Sequence, residues 1–236
     1  MTSKFIYHDD IGKVELVAHM GTDLTIVNSA RVSFGKEKSE LDDKDKKLIS
    51  YLVSHRHTST FEHNVITFRC KVPLYVRSQH HRHRTWSYNE ISRRYTSVDM
   101  QFYEPNFFRT QHESNRQASK DNDKINPNLN HKFDNIIPVP TYTASQALKD
   151  HHEKSLRLYN QMIESGVCRE QARGILPQNL YTEYYATCNL NNLLKFVDLR
   201  THDGAQWEIR QMAEAMLNIA NEIWPVAVGA YSENKK

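Results

Sequence analysis

Apolar and polar positions along this chain switch between a period of two and a period near 3.6, and the switches mark out its elements. VELVAHM (14–20) reads as a short strand, broken by Gly21 and Asp23 before a helical pattern that runs through Ser33. SELDDKDKKLISYLVSH (39–55) starts on Ser and Asp and carries Leu48, Ile49, Leu52 and Val53 at helical spacing, so a helix is expected to deliver HRHTSTFEH at its C-terminal end. NVITFRCKV (64–72) is β-rich in composition and stops at Pro73, a residue suited to the first position of the next helix, PLYVRSQHHRHR.

Residues 106–140 turn to Asn, Asp, Lys and Gln, a composition with too little apolar area to offset its ordering entropy, and predict a long mobile loop. Residues 141–165 predict a helix closed by Gly166. NLYTEYYATCNL (179–190) alternates as a strand does, and NNLLKFVDLR (191–200) returns to helical spacing. The last long element, AQWEIRQMAEAMLNIANEIW, places Ile209, Met212, Ala213, Met216, Ile219, Ala220 and Ile223 on one stripe, which predicts a core or interface helix. No internal repeat is present.

The chain has 236 residues, 39% of them hydrophobic, enough for the core of one domain over residues 1–236 with a polar loop insertion at about 120–140. Cys70, Cys168 and Cys188 are odd in number and lack CxxC spacing, which predicts neither a disulfide framework nor a zinc knuckle and favours a reduced, cytoplasmic setting. No apolar run reaches signal-peptide or membrane-spanning length, so no membrane association is expected.

Charge changes the picture. The formal net charge is only +3, yet residues 64–98 hold Arg69, Lys71, Arg77, Arg82, Arg84, Arg93 and Arg94 against Glu90 alone. A solvated helix balances such charges with acids three or four residues away. Their absence points to an anionic ligand. The seven glycines never fall as GxGxxG or GxxxxGKS, so cations rather than a glycine-rich loop would hold a nucleotide; GxSxG is absent too. Six histidines (His55, His57, His63, His80, His81, His83) crowd into 29 residues, but no carboxylate-rich ligand set accompanies them, and no metal is assigned. An RNA-binding module, with Tyr75, Trp86, Tyr88 and Tyr95 as stacking platforms, is an alternative from another class. A compact, Arg-dominated cluster suits a fixed phosphate gripped by forks better than a sliding polymer, so no nucleic-acid partner is assigned.

RHRTWSYNEIS carries Arg82, His83 and Arg84, then seven residues, then Ser92, the pattern of flavin-dependent thymidylate synthases. The chain resembles that family again at HTSTFEH (57–63), FYEPNFFRTQHESNRQAS (102–119), ARGILPQNLYTEYYATCNLNNLLKFVDLR (172–200) and AQWEIRQMA (205–213), in the family's order. The resemblance implies an α/β (α+β) fold, a mixed or antiparallel sheet flanked by helices, assembled as a homotetramer with shared flavin sites.

It further implies methylation of dUMP to dTMP, with FAD as cofactor and NADPH and 5,10-methylenetetrahydrofolate as co-substrates, releasing tetrahydrofolate. By position, Ser59, Arg82, His83, Arg84, Glu90, Asn189, Asn191 and Lys195 resemble flavin contacts. Gln79, Arg82, Glu90, Ser92, Arg93, Arg94, Arg173 and Arg200 resemble the dUMP set, with Arg200 as the substrate-activating, catalytic residue. Ser92 is read as a phosphate ligand rather than a nucleophile because the motif places no general base beside it. The chain departs from the family's usual residues at Thr60, where proline is common, at Lys195, where Asn or His is common, and at Gly204, where some members have histidine.

Overall fold

The computed structural model describes residues 2–129 and 142–235. Five strands form one antiparallel sheet: β1 (Ser3–Phe5), β2 (Lys13–Met20), β3 (Val65–Pro73), β9 (Tyr181–Asn189) and β4 (Ser87–Glu90), in that spatial order. The centre is the β3–β9 ladder, paired without a break from Val65↔Asn189 to Pro73↔Tyr181. Strict alternation explains it. Ile66, Phe68, Cys70 and Val72 point into the core, while Arg69 on the opposite face ion-pairs with Glu183 of β9.

Helices α1 (Asp23–Arg31), α2 (Asp43–Ser54), α3 (Leu74–His80), α6 (Leu190–Arg200), α7 (Trp207–Ile223) and α8 (Pro225–Asn234) share the main hydrophobic core with that sheet. The predicted stripe of α7 is buried from Ile209 through Ala220, and Ile223 packs against its edge. Asp42 caps α2, accepting the Asp45 N–H at 2.9 Å. Gly21 ends β2 with φ +86°, and a Cβ there would meet the Asn64 side chain at 3.0 Å, so this turn needs glycine.

Two features tie the ends of the chain together. The Asp23 carboxylate accepts from the Val226 and Ala227 N–H groups (3.0 and 2.9 Å), and the indole of fully buried Trp224 donates to the Gly21 carbonyl at 2.9 Å. A second, smaller core gathers Tyr159 of α4 (Ala144–Glu164), Ala172 of the short α5 (Arg169–Ala172), Leu176 and Leu180.

Three expectations need correction. The polar stretch from residue 106 is not a loop throughout: β5 (Phe108–Gln111) pairs with β6 (Ser119–Ile125), and β7 (Asn128–Leu129) pairs with β8 (Tyr142–Thr143). Within the expected 120–140 insertion, residues 120–125 therefore belong to a hairpin, and 130–140 lie outside the described residues. The hairpin is held by charge rather than apolar burial: Arg109 reaches Glu208 and Asp121 reaches Arg210, both at 2.7 Å on α7. The helix expected from Pro73 starts after it and ends at His80, and residues 87–90, expected in no strand, form the sheet edge.

Candidate functional site

Helix α6 begins where Asn189 Oδ1 accepts the Asn192 N–H at 2.9 Å, and it buries Leu190, Leu193, Phe196 and Val197. That anchorage fixes where its last residue, Arg200, emerges. The guanidinium turns back onto α3: Nε donates to His83 Nε2 at 3.1 Å and Nη2 donates to the Gln79 carbonyl at 3.0 Å. His83 must be neutral at Nε2 to accept. Burial, followed by the adjacent Arg200 charge, lowers its pKa to about 4. Burial alone lowers that of Arg200, which stays a cation because guanidinium is so basic. Nη1 of Arg200 has no partner among the described residues, so one face of the fork is left for a ligand.

A cavity of about 360 Å³ collects Arg77, Glu90, Ser92, Arg93 and Arg173. Thr182 Oγ1 donates to Glu90 Oε1 at 2.6 Å, and Arg77 Nε stands 3.2 Å from the same oxygen as an ion pair. Arg93 is engaged internally, donating to the carbonyls of Val98, Asp99 and Tyr181 (2.6, 3.4 and 3.4 Å). Exposed Arg94 pairs with Glu170 at 3.2 Å, and its N–H is 3.3 Å from Ser92 Oγ. Among the described residues Arg173 donates only to the Glu170 carbonyl, at 3.4 Å. Arg173, Arg77 and the Ser92 hydroxyl thus line one opening with one carboxylate, a donor set that fits a phosphate and a sugar hydroxyl.

The residues matched to flavin contacts fall into two places. Asn191 and Lys195 line a hollow of about 920 Å³ bounded by α2, α6 and α8; buried Asn191 donates to Glu62 at 2.8 Å, and Lys195 is exposed. Ser59 is exposed in the adjacent Thr58–Phe61 turn, and Asn189 is spent on its helix cap. Arg82 and Arg84 stand exposed in the turn after α3, and neither has a hydrogen-bond or ion-pair partner among the described residues. Two exposed, unpaired guanidiniums two positions apart suit a diphosphate, so the donor set fits FAD, although one chain does not bring these arginines and the Asn191–Lys195 group into a single cavity.

His80, in the middle of the histidine run, is a core residue. It is fully buried against Trp86, Tyr88 and Phe196, its Nδ1 lies 2.9 Å from Tyr184 Oη, and burial pushes its pKa down. Among the described residues no three His, Cys, Asp or Glu side chains group as a metal site. Burial raises the thiol pKa of both Cys70 and Cys188, which makes them poor nucleophiles.

Three residues escaped the sequence reading. Arg77 was one charge among seven, with nothing local to single it out. Gln206 meets the Gln79 side chain, and Glu208 receives both Gln206 and Arg109 (2.9 and 2.7 Å). The only available signal was that two polar residues, one of them later buried, open a helix whose remaining stripe is apolar.

The family described as thymidylate synthase complementing protein matches residues 15–226. Curated relatives include flavin-dependent thymidylate synthases of Thermus thermophilus (42% identical over 95% of this chain and 77% of the relative) and Thermotoga neapolitana (39%, 94% and 91%). A crystal structure of a UMP/dUMP methylase from Streptomyces cacaoi bound with 5-Br dUMP superimposes with a TM-score of 0.76 at 33% identity, covering 93% of this chain and 94% of that one. With the family match spanning residues 15–226 and these relatives covering nearly the whole chain, this chain belongs to the thymidylate synthase complementing protein family, the family of the flavin-dependent thymidylate synthases.

Proposed function

We propose that the protein methylates dUMP at C5 to give dTMP, and that Arg200 is the residue that activates the pyrimidine. The observation that carries this reading is the guanidinium at the end of α6, braced by His83 and Gln79 with one nitrogen left over. For C5 to attack a carbon donor, electron density must move onto the ring, with negative charge spreading over N3 and O4. A cation fixed at that edge before the reaction starts stabilises the charge as it develops and needs no reorganisation. No cysteine attack at C6 is required, which accords with the deep burial of Cys70 and Cys188.

Arg173 and Ser92 are the proposed phosphate ligands, with Arg77 beside them, and Glu90 is the proposed acceptor of a sugar hydroxyl. Gln79, Arg82, Arg93 and Arg94 complete the dUMP set; Arg93 contributes by pinning the segment through Val98. Arg82, His83 and Arg84 would hold FAD together with Ser59, Glu90, Asn189, Asn191 and Lys195. When bound and reduced by NADPH, FAD supplies the hydride that completes a methyl group whose carbon comes from methylenetetrahydrofolate, which leaves as tetrahydrofolate.

Arg82 and Arg84 do not line the Asn191–Lys195 hollow, which supports a flavin site completed by other copies of the chain; that the assembly is a homotetramer comes from the resemblance to the family. One catalytic domain working in the cytoplasm, without nucleic-acid or membrane partners, belongs to the same reading; no helix among the described residues is long and apolar enough to cross a membrane. The test is direct. Purified protein should show oxidised-flavin absorption and convert dUMP to dTMP with NADPH and methylenetetrahydrofolate. Colourless protein that takes up no added FAD overturns the reading.

A further inference from the structure

Glu208 lies in the first turn of α7 and is 4% exposed. Its two oxygens have different partners: Oε1 accepts from Arg109 Nη2 at 2.7 Å and Oε2 accepts from Gln206 Nε2 at 2.9 Å. A carboxylate paired with arginine is ionised and can only accept. The amino end of the Gln206 amide must therefore face Glu208, and its oxygen faces the other way. There it meets Gln79, and an oxygen calls for a donor, so Gln79 turns Nε2 toward Gln206. Gln79 Oε1 is left outward, with no partner among the described residues and not sealed from solvent. The backbone carbonyl of the same residue holds Arg200 Nη2, so this free acceptor sits in the residue on which the proposed catalytic cation rests.

We propose that Glu208, acting through Gln206, fixes the polarity of the Gln79 amide and thereby makes the site select a pyrimidine carrying a hydrogen at N3, uracil rather than cytosine. This rests on the reading that Gln79 and Arg200 face the pyrimidine edge. Uracil presents an N3–H donor beside the O4 acceptor; cytosine presents the N3 acceptor beside an amino donor. A carbonyl from Gln79 and an N–H from Arg200 complement the first pair and oppose both members of the second. An unconstrained glutamine amide could rotate by half a turn and donate to N3 of cytosine, leaving only the Arg200 N–H to discriminate. The N3 half of the discrimination thus resides in a buried carboxylate that does not itself touch the base, which makes Glu208 and Gln206 positioning residues.

The test is calorimetric titration of flavin-loaded protein with dUMP and with dCMP, comparing the parent with Glu208→Gln and Gln206→Leu. The parent should prefer dUMP by at least about a hundredfold, since a mismatched polar edge leaves unpaired groups on both sides. Glu208→Gln supplies an amide that can donate as well as accept, and Gln206→Leu cuts the relay without altering charge. Each variant should lower the dUMP/dCMP ratio by about tenfold or more. A loss of packing alone weakens both nucleotides together and leaves the ratio intact. If Glu208→Gln does not fold, Gln206→Leu decides alone. A parent-like ratio in the folded variants overturns the proposal while leaving the dUMP reading in place; a parent that binds neither nucleotide overturns both.

Discussion

Replacing Arg200 by lysine separates charge from geometry. The guanidinium divides its donors three ways: Nε to His83, Nη2 to the Gln79 carbonyl, and Nη1 to whatever occupies the site. A lysine has a single nitrogen on a flexible stem. Holding the Gln79 carbonyl draws it away from the ring, and turning to the ring leaves that carbonyl and the His83 nitrogen without their donor. Removing one preorganised donor from a developing oxyanion costs on the order of 2.7–4 kcal/mol, or about 10²–10³ in kcat. The two lost internal bonds lower stability by about 1 kcal/mol each, which most folded domains survive.

Arg200→Lys should therefore be a folded, yellow protein in which NADPH still reduces the flavin while dTMP formation falls by about 10²–10³. The assay quantifies dTMP by chromatography at saturating dUMP, so that any loss of affinity does not masquerade as loss of turnover. Flavin absorption and NADPH oxidation are followed in the same samples. A variant making dTMP at close to the parent rate would refute the charge-stabilisation argument, and one that has lost its flavin would move Arg200 from substrate activation to cofactor binding.

Arg82→Ala should weaken flavin or nucleotide binding by about ten- to a hundredfold, the worth of one charge-assisted contact of roughly 1.5–3 kcal/mol. Lys120→Ala, which removes only the exposed pair with Glu113, should change neither binding nor stability measurably; equal effects at both places in a fluorescence titration would contradict the placement of the site. His83 loses its proton more readily in the folded protein than in the unfolded chain, so its contribution to stability is complete above a pH of about 6.5 and is lost as pH falls toward about 4. The melting temperature of the parent should therefore drop more than that of His83→Gln between these values; parallel curves would show that His83 is not held neutral. Iodoacetamide should label Cys168 in the folded protein and spare Cys70 and Cys188 without loss of dTMP formation, and activity lost in step with labelling would reinstate a cysteine mechanism.

Elements with a buried side were readable because burial writes a period into the sequence. Ile66, Phe68, Cys70 and Val72 announce β3, and Ile209 through Ala220 announce α7, since one face of each must be apolar to pack. The β5–β6 hairpin has no such face. SKDNDKI is polar on both sides, and what holds it is Arg109 on Glu208 and Asp121 on Arg210 across separations of 99 and 89 residues, which no local pattern encodes. The same distinction divides the site. Arg82, His83, Arg84 and Ser92 sit close enough in sequence to form a motif, whereas the contacts of Arg200 with Gln79 and His83 span 121 and 117 positions and appear only once the sheet has brought α3 and α6 together. Arg77 and Glu208 were opaque for the same reason: each acquires a partner through topology alone.

The joining of the chain's two ends has a consequence for its birth on the ribosome. Gly21 and Asp23 find their partners in Trp224, Val226 and Ala227, 203 or 204 positions later. At roughly 5–20 residues per second, the turn before α1 exists for about 10–40 s before the residues that satisfy it are made, and their passage through the exit tunnel adds to the wait. Throughout that interval Ile26 and Val27, both fully buried in the finished protein, are without the C-terminal helix that helps to cover them. Closure of the core thus waits until residues 224–227 have cleared the tunnel. A nascent chain stalled anywhere before Trp224 should remain protease-sensitive and dependent on chaperones, however much of its sheet has already been synthesised.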